Sequence, residues 1–333
     1  MASTVGPRIA CVGNSNTSGT GIAFDPADGY LYLTGYDTIT IVKPPCTFVR
    51  SLFFQTDAFI QSIAYDPLTK QMVAVAPVGE DCNPCSHLFI VQGLQKVKMM
   101  DLGYYTSNYT KLQWASGITW DSAVGALLIS NSWDGGIDIL YISQTGGSTK
   151  TQLISNDFDQ ERYPDSIQVA DGYVFAPGFY GVDVFNARTL TFLGSYPVLS
   201  NSYCLACGYV TWDPVNHTEV LGVERINSVA ASRDVVFLEA NAIPSRAFSY
   251  HDLEVHHILE DGVGGLTYSP ADHDLYIGAA EGPDVWYVTA SGTLGHIYVG
   301  YVGGGYNVPM GLAFDPINHD VYVCGNALVA ISP

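Results

Sequence analysis

Short apolar runs of about four to eight residues, rich in β-branched and aromatic side chains, fill this chain from end to end, separated by Gly, Pro, Asp and Asn. No helical periodicity of useful length competes with them. The first group reads Gly21–Asp25, Tyr30–Thr34, Thr38–Val42 and Thr47–Phe54, with a turn after each run. A later group repeats the design as Gly265–Tyr268, Asp274–Gly278, Asp284–Val288 and His296–Val302. The pattern predicts strands throughout, grouped in fours.

The groups are copies of one unit. Gly21-Ile-Ala-Phe-Asp-Pro26 recurs as Ser62-Ile-Ala-Tyr-Asp-Pro67, Gly117-Ile-Thr-Trp-Asp-Ser122 and Tyr209-Val-Thr-Trp-Asp-Pro214. It returns as Gly265-Leu-Thr-Tyr-Ser-Pro270 and Gly311-Leu-Ala-Phe-Asp-Pro316, with a degenerate copy at Ser166-Ile-Gln-Val-Ala-Asp171. The starts at 21, 62, 117, 166, 209, 265 and 311 have the spacing of a four-stranded propeller blade. The expectation is an all-β, single-domain chain (residues 1–333) folded as a seven-bladed β-propeller of four-stranded antiparallel blades. The last copy offers three strands, and Arg8–Val12 stands alone ahead of the first copy, so residues 8–12 are expected to complete the last blade and remove an open edge. In each Asp-Pro pair, Asp caps backbone amides and Pro fixes φ, so Asp25, Asp66, Asp213 and Asp315 read as turn closers.

The phrases Gly21-Ile-Ala-Phe-Asp-Pro…Tyr30-Leu-Tyr-Leu-Thr and Gly311-Leu-Ala-Phe-Asp-Pro…Asp320-Val-Tyr-Val-Cys resemble NHL and YVTN-type propeller repeats. The likeness covers nearly the whole chain. It implies the propeller fold and a group that includes secreted or surface-layer adhesion and scaffold proteins, and some lyases and lactonases. The second strands end in Leu31-Tyr-Leu-Thr34, Leu127-Leu-Ile-Ser-Asn131 and Val321-Tyr-Val-Cys324, looser than a Tyr-Val-Thr-Asn consensus.

Composition narrows the function classes. The 333 residues carry 13 Lys+Arg against 32 Asp+Glu, a net charge of −19, so the field repels nucleic acid and no nucleic-acid partner is expected. Hydrophobic residues make up 47%, enough for a large core, while only 14% are charged. Such a weakly charged surface suits an extracellular, acidic setting, where protonation erases much of the negative charge. No run of 18 apolar residues predicts a membrane span. Met1–Gly13 shows no signal peptide, which fits an intracellular protein or a mature exported one equally.

Candidate chemistry lies in the loops that join blades and the loops between second and third strands, which share one face. Their aromatic and acidic residues suit peptide or glycan recognition, with Tyr36, Asp37, Trp133, Asp134, Phe179, Tyr180 and Tyr306 as the binding set. The same rings also serve to wedge blades together. A hydrolase or lyase reading would draw on Asp165, Glu224, Arg225, His256 and Glu281, with His87 and Arg162 as another base and clamp pair. Asp252, Glu254 and His256 alternate onto one strand face and form a candidate site for a divalent cation such as calcium. No cofactor is otherwise expected.

Seven cysteines are present. Cys82–Cys85 and Cys204–Cys207 are Cys-x-x-Cys pairs, read as local disulfides that pin their loops; free thiols and one shared zinc site are the other readings. Cys11, Cys46 and Cys324 leave an odd number, and a Cys11–Cys324 bond is disfavoured because the two fall on fourth and second strands of one expected blade. Asn16, Asn108 and Asn216 head glycosylation sequons, which matter only on export. The first functional reading is therefore a non-catalytic, extracellular or surface-associated module that binds protein or glycan, or self-assembles. The alternative is a metal-dependent propeller hydrolase or lyase, lactonase-like, with its site at the channel mouth.

Overall fold

A computed structural model describes residues 7–13, 21–56, 58–77, 86–102, 115–131, 136–142, 149–153, 166–178, 181–196, 203–204, 209–214, 218–226, 231–239, 250–253, 263–279, 284–302, 305–306, 311–325 and 327–332, some of them by backbone alone. Every regular element among them is a strand. The chain opens with β1 (Arg8–Gly13), then β2 (Ile22–Asp25), β3 (Tyr30–Gly35), β4 (Thr38–Lys43) and β5 (Thr47–Phe53). Next come β6 (Ser62–Asp66), β7 (Gln71–Pro77), β8 (Ser86–Gln92), β9 (Gln95–Leu102), β10 (Ala115–Asp121), β11 (Ala126–Asn131), β12 (Gly136–Ile142) and β13 (Thr149–Leu153). They are followed by β14 (Gln168–Ala170), β15 (Tyr173–Gly178), β16 (Gly181–Asn186), β17 (Phe192–Tyr196), β18 (Tyr203–Cys204), β19 (Tyr209–Asp213), β20 (Thr218–Ile226), β21 (Ala231–Glu239) and β22 (Tyr250–Leu253). The chain ends with β23 (Val263–Ser269), β24 (Asp274–Ala279), β25 (Asp284–Val288), β26 (Leu294–Tyr298), β27 (Tyr301–Val302), β28 (Gly305–Tyr306), β29 (Gly311–Phe314), β30 (Val321–Cys324) and β31 (Leu328–Ser332).

The strands pair antiparallel in a propeller, but among the described residues seven equivalent four-stranded blades do not form. Five sheets are regular blades, each a four-stranded meander in chain order: β2–β5, β6–β9, β10–β13, β14–β17 and β23–β26. The regular arrangement is thus five-bladed. Two other sheets depart from it, each for a local reason. β20 has nine residues and β19 only five, so the far end of β20 pairs with β18 and that sheet has five strands. The sheet of β29, β30 and β31 takes β1 as its outer strand, Arg8 opposite Ser332 and Gly13 opposite Leu328. The stretch expected as one strand over 296–302 also divides: β26 stops at Tyr298, Gly300 turns at φ 85°, and β27 pairs with β28 in a separate ribbon. β2, β6, β10, β14, β19, β23 and β29 lie innermost, each against the next, and β29 meets β2.

The repeated phrase builds both ends of the inner strand. At its close, Asp25 accepts a hydrogen bond from Ala27 N (2.7 Å), Asp121 from Ala123 N (2.7 Å) and Asp315 from Ile317 N (2.7 Å). Asp66 accepts from Leu68 N (2.9 Å) and the Thr69 hydroxyl (2.7 Å). All four carboxylates are buried, so they are turn parts and not surface charges. His273 and His319 end two of these turns at φ 63°, their amides bonded back to Ser269 and Asp315 carbonyls. Where the phrase starts with Gly21 or Gly117, glycine is demanded by crowding. A Cβ on Gly21 would stand 2.9 Å from Gln61 O and 3.2 Å from Ser62 Cα, and one on Gly117 would stand 2.9 Å from Ser166 Cα. The starts of these two phrases thus abut the start of the next phrase.

Sheet faces pack against one another between blades. Tyr32, Ile39, Ile41 and Leu52 meet Met72, Phe89 and Val91 between the first two blades. Leu31, Leu33 and Val42 meet Tyr322, Leu328 and Ala330 at the joint with the sheet that holds both chain ends. Tyrosines at matching places, Tyr32 and Tyr276, donate to Asp28 (2.6 Å) and Asp272 (2.7 Å) inside their own blades.

Burial raises several of these carboxylic acids above their ordinary range. Desolvation is the main cause for Asp25 and Asp121, and it acts with the nearby Asp272 charge to bring Asp274 up to about 6. The folded chain therefore holds a proton on Asp274 that the unfolded chain, at the usual 3.8, releases. This group's stabilisation is complete below pH 4 and is lost as pH rises through about 6. Melting temperature is expected to fall between pH 4 and pH 7, and Asp274→Asn is expected to remove a slope worth on the order of 2 kcal/mol. A melting profile of the variant that keeps the full slope would refute the assignment.

Candidate functional site

The turn between β3 and β4 is the best-defined candidate. Asp37 lies there in the left-handed region, at φ 56°, a conformation Asp tolerates better than most residues. Its carboxylate accepts hydrogen bonds from Thr56 N and the Thr56 hydroxyl, both at 2.5 Å. Its amide donates to Ala58 O and its carbonyl accepts from Phe54 N, each at 2.9 Å. Asp37 thereby fastens the β3–β4 turn to the segment leading into the next blade. Tyr36 forms a bridge to Phe59 through its backbone and is itself 55% exposed. The result is an exposed aromatic residue on a backbone that Asp37 holds still. Of the expected pair, Tyr36 is exposed and Asp37 is bonded to Thr56.

Around the inner strands, short hydroxyl side chains complete the backbone. Thr34 Oγ1 accepts from Gly21 N (2.8 Å) and Ser130 Oγ from Gly117 N (2.8 Å). Cys324 is the counterpart opposite Gly311, thirteen residues on like the other two. Its thiol is fully buried, and burial pushes it up to about 12, so it stays protonated and unreactive at neutral pH. The hydroxyls of Ser62 and Thr211 reach across to the next blade, accepting from Ile118 N (3.3 Å) and Tyr268 N (3.2 Å).

The other candidates fall as follows. Glu224 and Arg225 lie near the end of β20, in register with Arg233 and Ser232 of β21, and Cys204 of β18 is opposite Arg225. The topology thus collects Cys204, Glu224, Arg225 and Arg233 at one end of the five-stranded sheet. Asp252 is apart from them, on β22 opposite Val236. Tyr306 is on β28 opposite Tyr301. Trp133, Asp134, Asp165, Phe179, Tyr180, Glu254, His256, Glu281, Cys82, Cys85, Cys207, Asn16, Asn108 and Asn216 lie outside the described residues. Among the described residues no three His, Cys, Asp or Glu side chains converge as metal ligands, and no helix is long and apolar enough to cross a membrane.

Two pairs were not anticipated. His87 Nδ1 lies 3.0 Å from Asp101 Oδ1, a cross-strand pair of β8 and β9 with the imidazole buried. A carboxylate at Nδ1 fixes the tautomer of such a ring. The signal was the hairpin register, which sets 87 opposite 101. Arg162, its expected companion, lies outside the described residues. Cys11 and Cys46 stand at disulfide distance, Cα atoms 6.3 Å apart, joining β1 to the turn after β4. Placing β1 beside the first blade was the step that would have found it.

No protein-family model matches the sequence, and no curated protein matches it. Solved structures do match in fold. Hydrazine synthase of Kuenenia stuttgartiensis superposes with TM-score 0.72 at 12% identity, over 96% of this chain and 97% of the other. A catalytically inactive virginiamycin B lyase from Staphylococcus aureus with quinupristin gives TM-score 0.72 at 10% identity, over 98% and 99%. The Pan2 WD40 domain of Neurospora crassa gives 0.66 at 9% identity, over 95% and 89%. At these identities the likeness shows the β-propeller fold and nothing finer.

Proposed function

We propose that this chain is a non-catalytic interaction module of the NHL/YVTN repeat type, extracellular or surface-associated, which binds protein or glycan through the loops around Tyr36. The observation that carries the reading is the exposed Tyr36 on a turn fixed by Asp37 and Thr56. A rigid, amphipathic ring on a pre-set backbone binds at low entropic expense. The WD40 likeness supports a protein-binding scaffold, and the Cys11–Cys46 pair supports an oxidising compartment. Screening the protein on glycan and protein arrays is expected to yield a ligand whose affinity falls about tenfold in Tyr36→Ala, with unchanged melting temperature. A protein that binds nothing on either array, or a ligand indifferent to Tyr36, would count against the reading.

A second reading is favoured by the grouping of Cys204, Glu224, Arg225 and Arg233, together with the virginiamycin B lyase likeness. It is a lyase or hydrolase that uses Glu224 and Arg225. Turnover in a lactone and ester screen, abolished by Arg225→Ala, is its required result.

A further inference from the structure

The outer hairpin of the sheet β23–β26 carries an exposed aromatic face. β25 and β26 pair with Asp284 opposite Tyr298, Trp286 opposite His296 and Val288 opposite Leu294. Residues directly opposite, and residues two apart on one strand, share a face. Asp284, Trp286, Leu294, His296 and Tyr298 therefore stand on one side of the hairpin. The other side belongs to the core, where Val285 and Ile297 are buried with Leu312, Val323 and Ile331 of the sheet that holds both chain ends. On the first side, the Trp286 and His296 rings lie 4.8 Å apart between centroids and are tilted by 42°. Trp286 is half-buried and His296 exposed, while Tyr298 is 52% exposed. Tyr298 follows His296 by two residues, about 7 Å along the strand, the scale of one sugar ring.

The backing of this face is fixed. Tyr287 packs against Gly295, directly opposite it, where any Cβ would collide with the tyrosine ring. The hairpin turn is closed by Thr289 N donating to Thr293 O (2.9 Å) and Thr293 N donating to Thr289 Oγ1 (3.0 Å). The aromatic residues thus stand on a backbone set before any ligand arrives, which keeps the entropic expense of binding low.

Charge selects the occupant. Residues 284–302 include one Asp, Asp284, and no Glu, Lys or Arg. An acidic partner finds no counter-charge on this hairpin, and one carboxylate gives a basic partner little hold. A stable protein interface takes about 20–30 residues a side, more than one hairpin face supplies. Aromatic rings with few charges suit a neutral saccharide. The C–H face of a pyranose stacks on the electron-rich faces of Trp and Tyr, while carboxylate and imidazole exchange hydrogen bonds with its hydroxyls.

We propose that the β25–β26 hairpin is a binding subsite for a neutral glycan, with Trp286 and Tyr298 as stacking platforms and Asp284 and His296 as partners of the sugar hydroxyls. The subsite is separate from the Tyr36 turn. β29 packs against both β23 and β2, so the two places lie in the sheets on either side of the one that holds both chain ends. The proposal goes beyond the Tyr36 reading and does not depend on it.

Titration of the full chain with cellohexaose, chitohexaose and mannohexaose tests it, by calorimetry and by quenching of tryptophan fluorescence. Saturable binding of at least one is expected, with equal affinity at about 20 mM and about 500 mM NaCl. Trp286→Ala and, separately, Tyr298→Ala are expected to weaken that binding about tenfold, Tyr298→Ala with unchanged melting temperature. Tyr36→Ala is expected to leave it as it was. Binding of none of the three, binding indifferent to both hairpin variants, or binding lost at high salt would overturn the proposal. A saccharide lost in Tyr36→Ala but kept in Tyr298→Ala would overturn this subsite and support the Tyr36 reading instead. The reverse pattern, with no ligand dependent on Tyr36, would uphold the subsite and remove that reading.

Discussion

Breaking the link between Cys11 and Cys46 is expected to lower the stability of the folded chain by about 3–4 kcal/mol. The two residues are 35 apart in sequence, and a closed loop of that length removes about this much free energy from the unfolded ensemble. Position adds to the effect. Cys11 is on β1, the strand that pairs with β31, and Cys46 is in the turn between β4 and β5. The link therefore ties the sheet holding both chain ends to the first blade, across the joint where Leu31 and Leu33 meet Tyr322 and Leu328. Once it is broken, β1 keeps its ladder to β31 and loses its covalent tie to the first blade. Denaturant unfolding with and without reductant checks this, with Cys11→Ser as the genetic equivalent. Equal midpoints in both conditions would show that the pair has no such role. Intact mass before and after alkylation reports whether the bond is present.

Gly117→Ala is expected to destabilise the chain by about 3 kcal/mol, whereas Gly172→Ala loses only about 1 kcal/mol. The contrast separates two uses of glycine. Gly172 has φ 82° and nothing near its absent side chain, so alanine there meets only backbone strain. A methyl on Gly117 would stand 2.8 Å from Ser130 Oγ, 2.9 Å from Ser166 Cα and 3.0 Å from Ile167 N. Two of those three neighbours are backbone atoms of the next blade, which cannot yield without moving an inner strand. The methyl also crowds the hydroxyl that accepts Gly117 N. Urea unfolding of both variants measures the difference. Equal losses would mean that the inner strands are not packed this tightly.

The strands of the first blade were legible to within a residue: Gly21–Asp25 is Ile22–Asp25, and Thr47–Phe54 is Thr47–Phe53. The turn carboxylates were legible for the same reason, since an Asp that caps its own following amides acts over two or three residues. The blade count was not. Nothing in Tyr209-Val-Thr-Trp-Asp-Pro214 announces that β20 will outrun β19 and gather a fifth strand, because strand length is set by what lies alongside. Of the candidate site, Tyr36 could be picked as a loop aromatic from its place between two strand runs, whereas the bond of Asp37 to Thr56, nineteen residues away, is a tertiary contact that no local pattern announces.

By itself the sequence determined an all-β chain, because alternating apolar runs and Asp-Pro turns are local chemistry that repeats with each copy. It also determined the shortage of Lys and Arg. Only the tertiary structure decided which cysteine Cys11 meets and why Gly21 and Gly117 must be glycine. Those outcomes depend on which inner strand stands beside which, a distance set by packing between blades and invisible to any single copy.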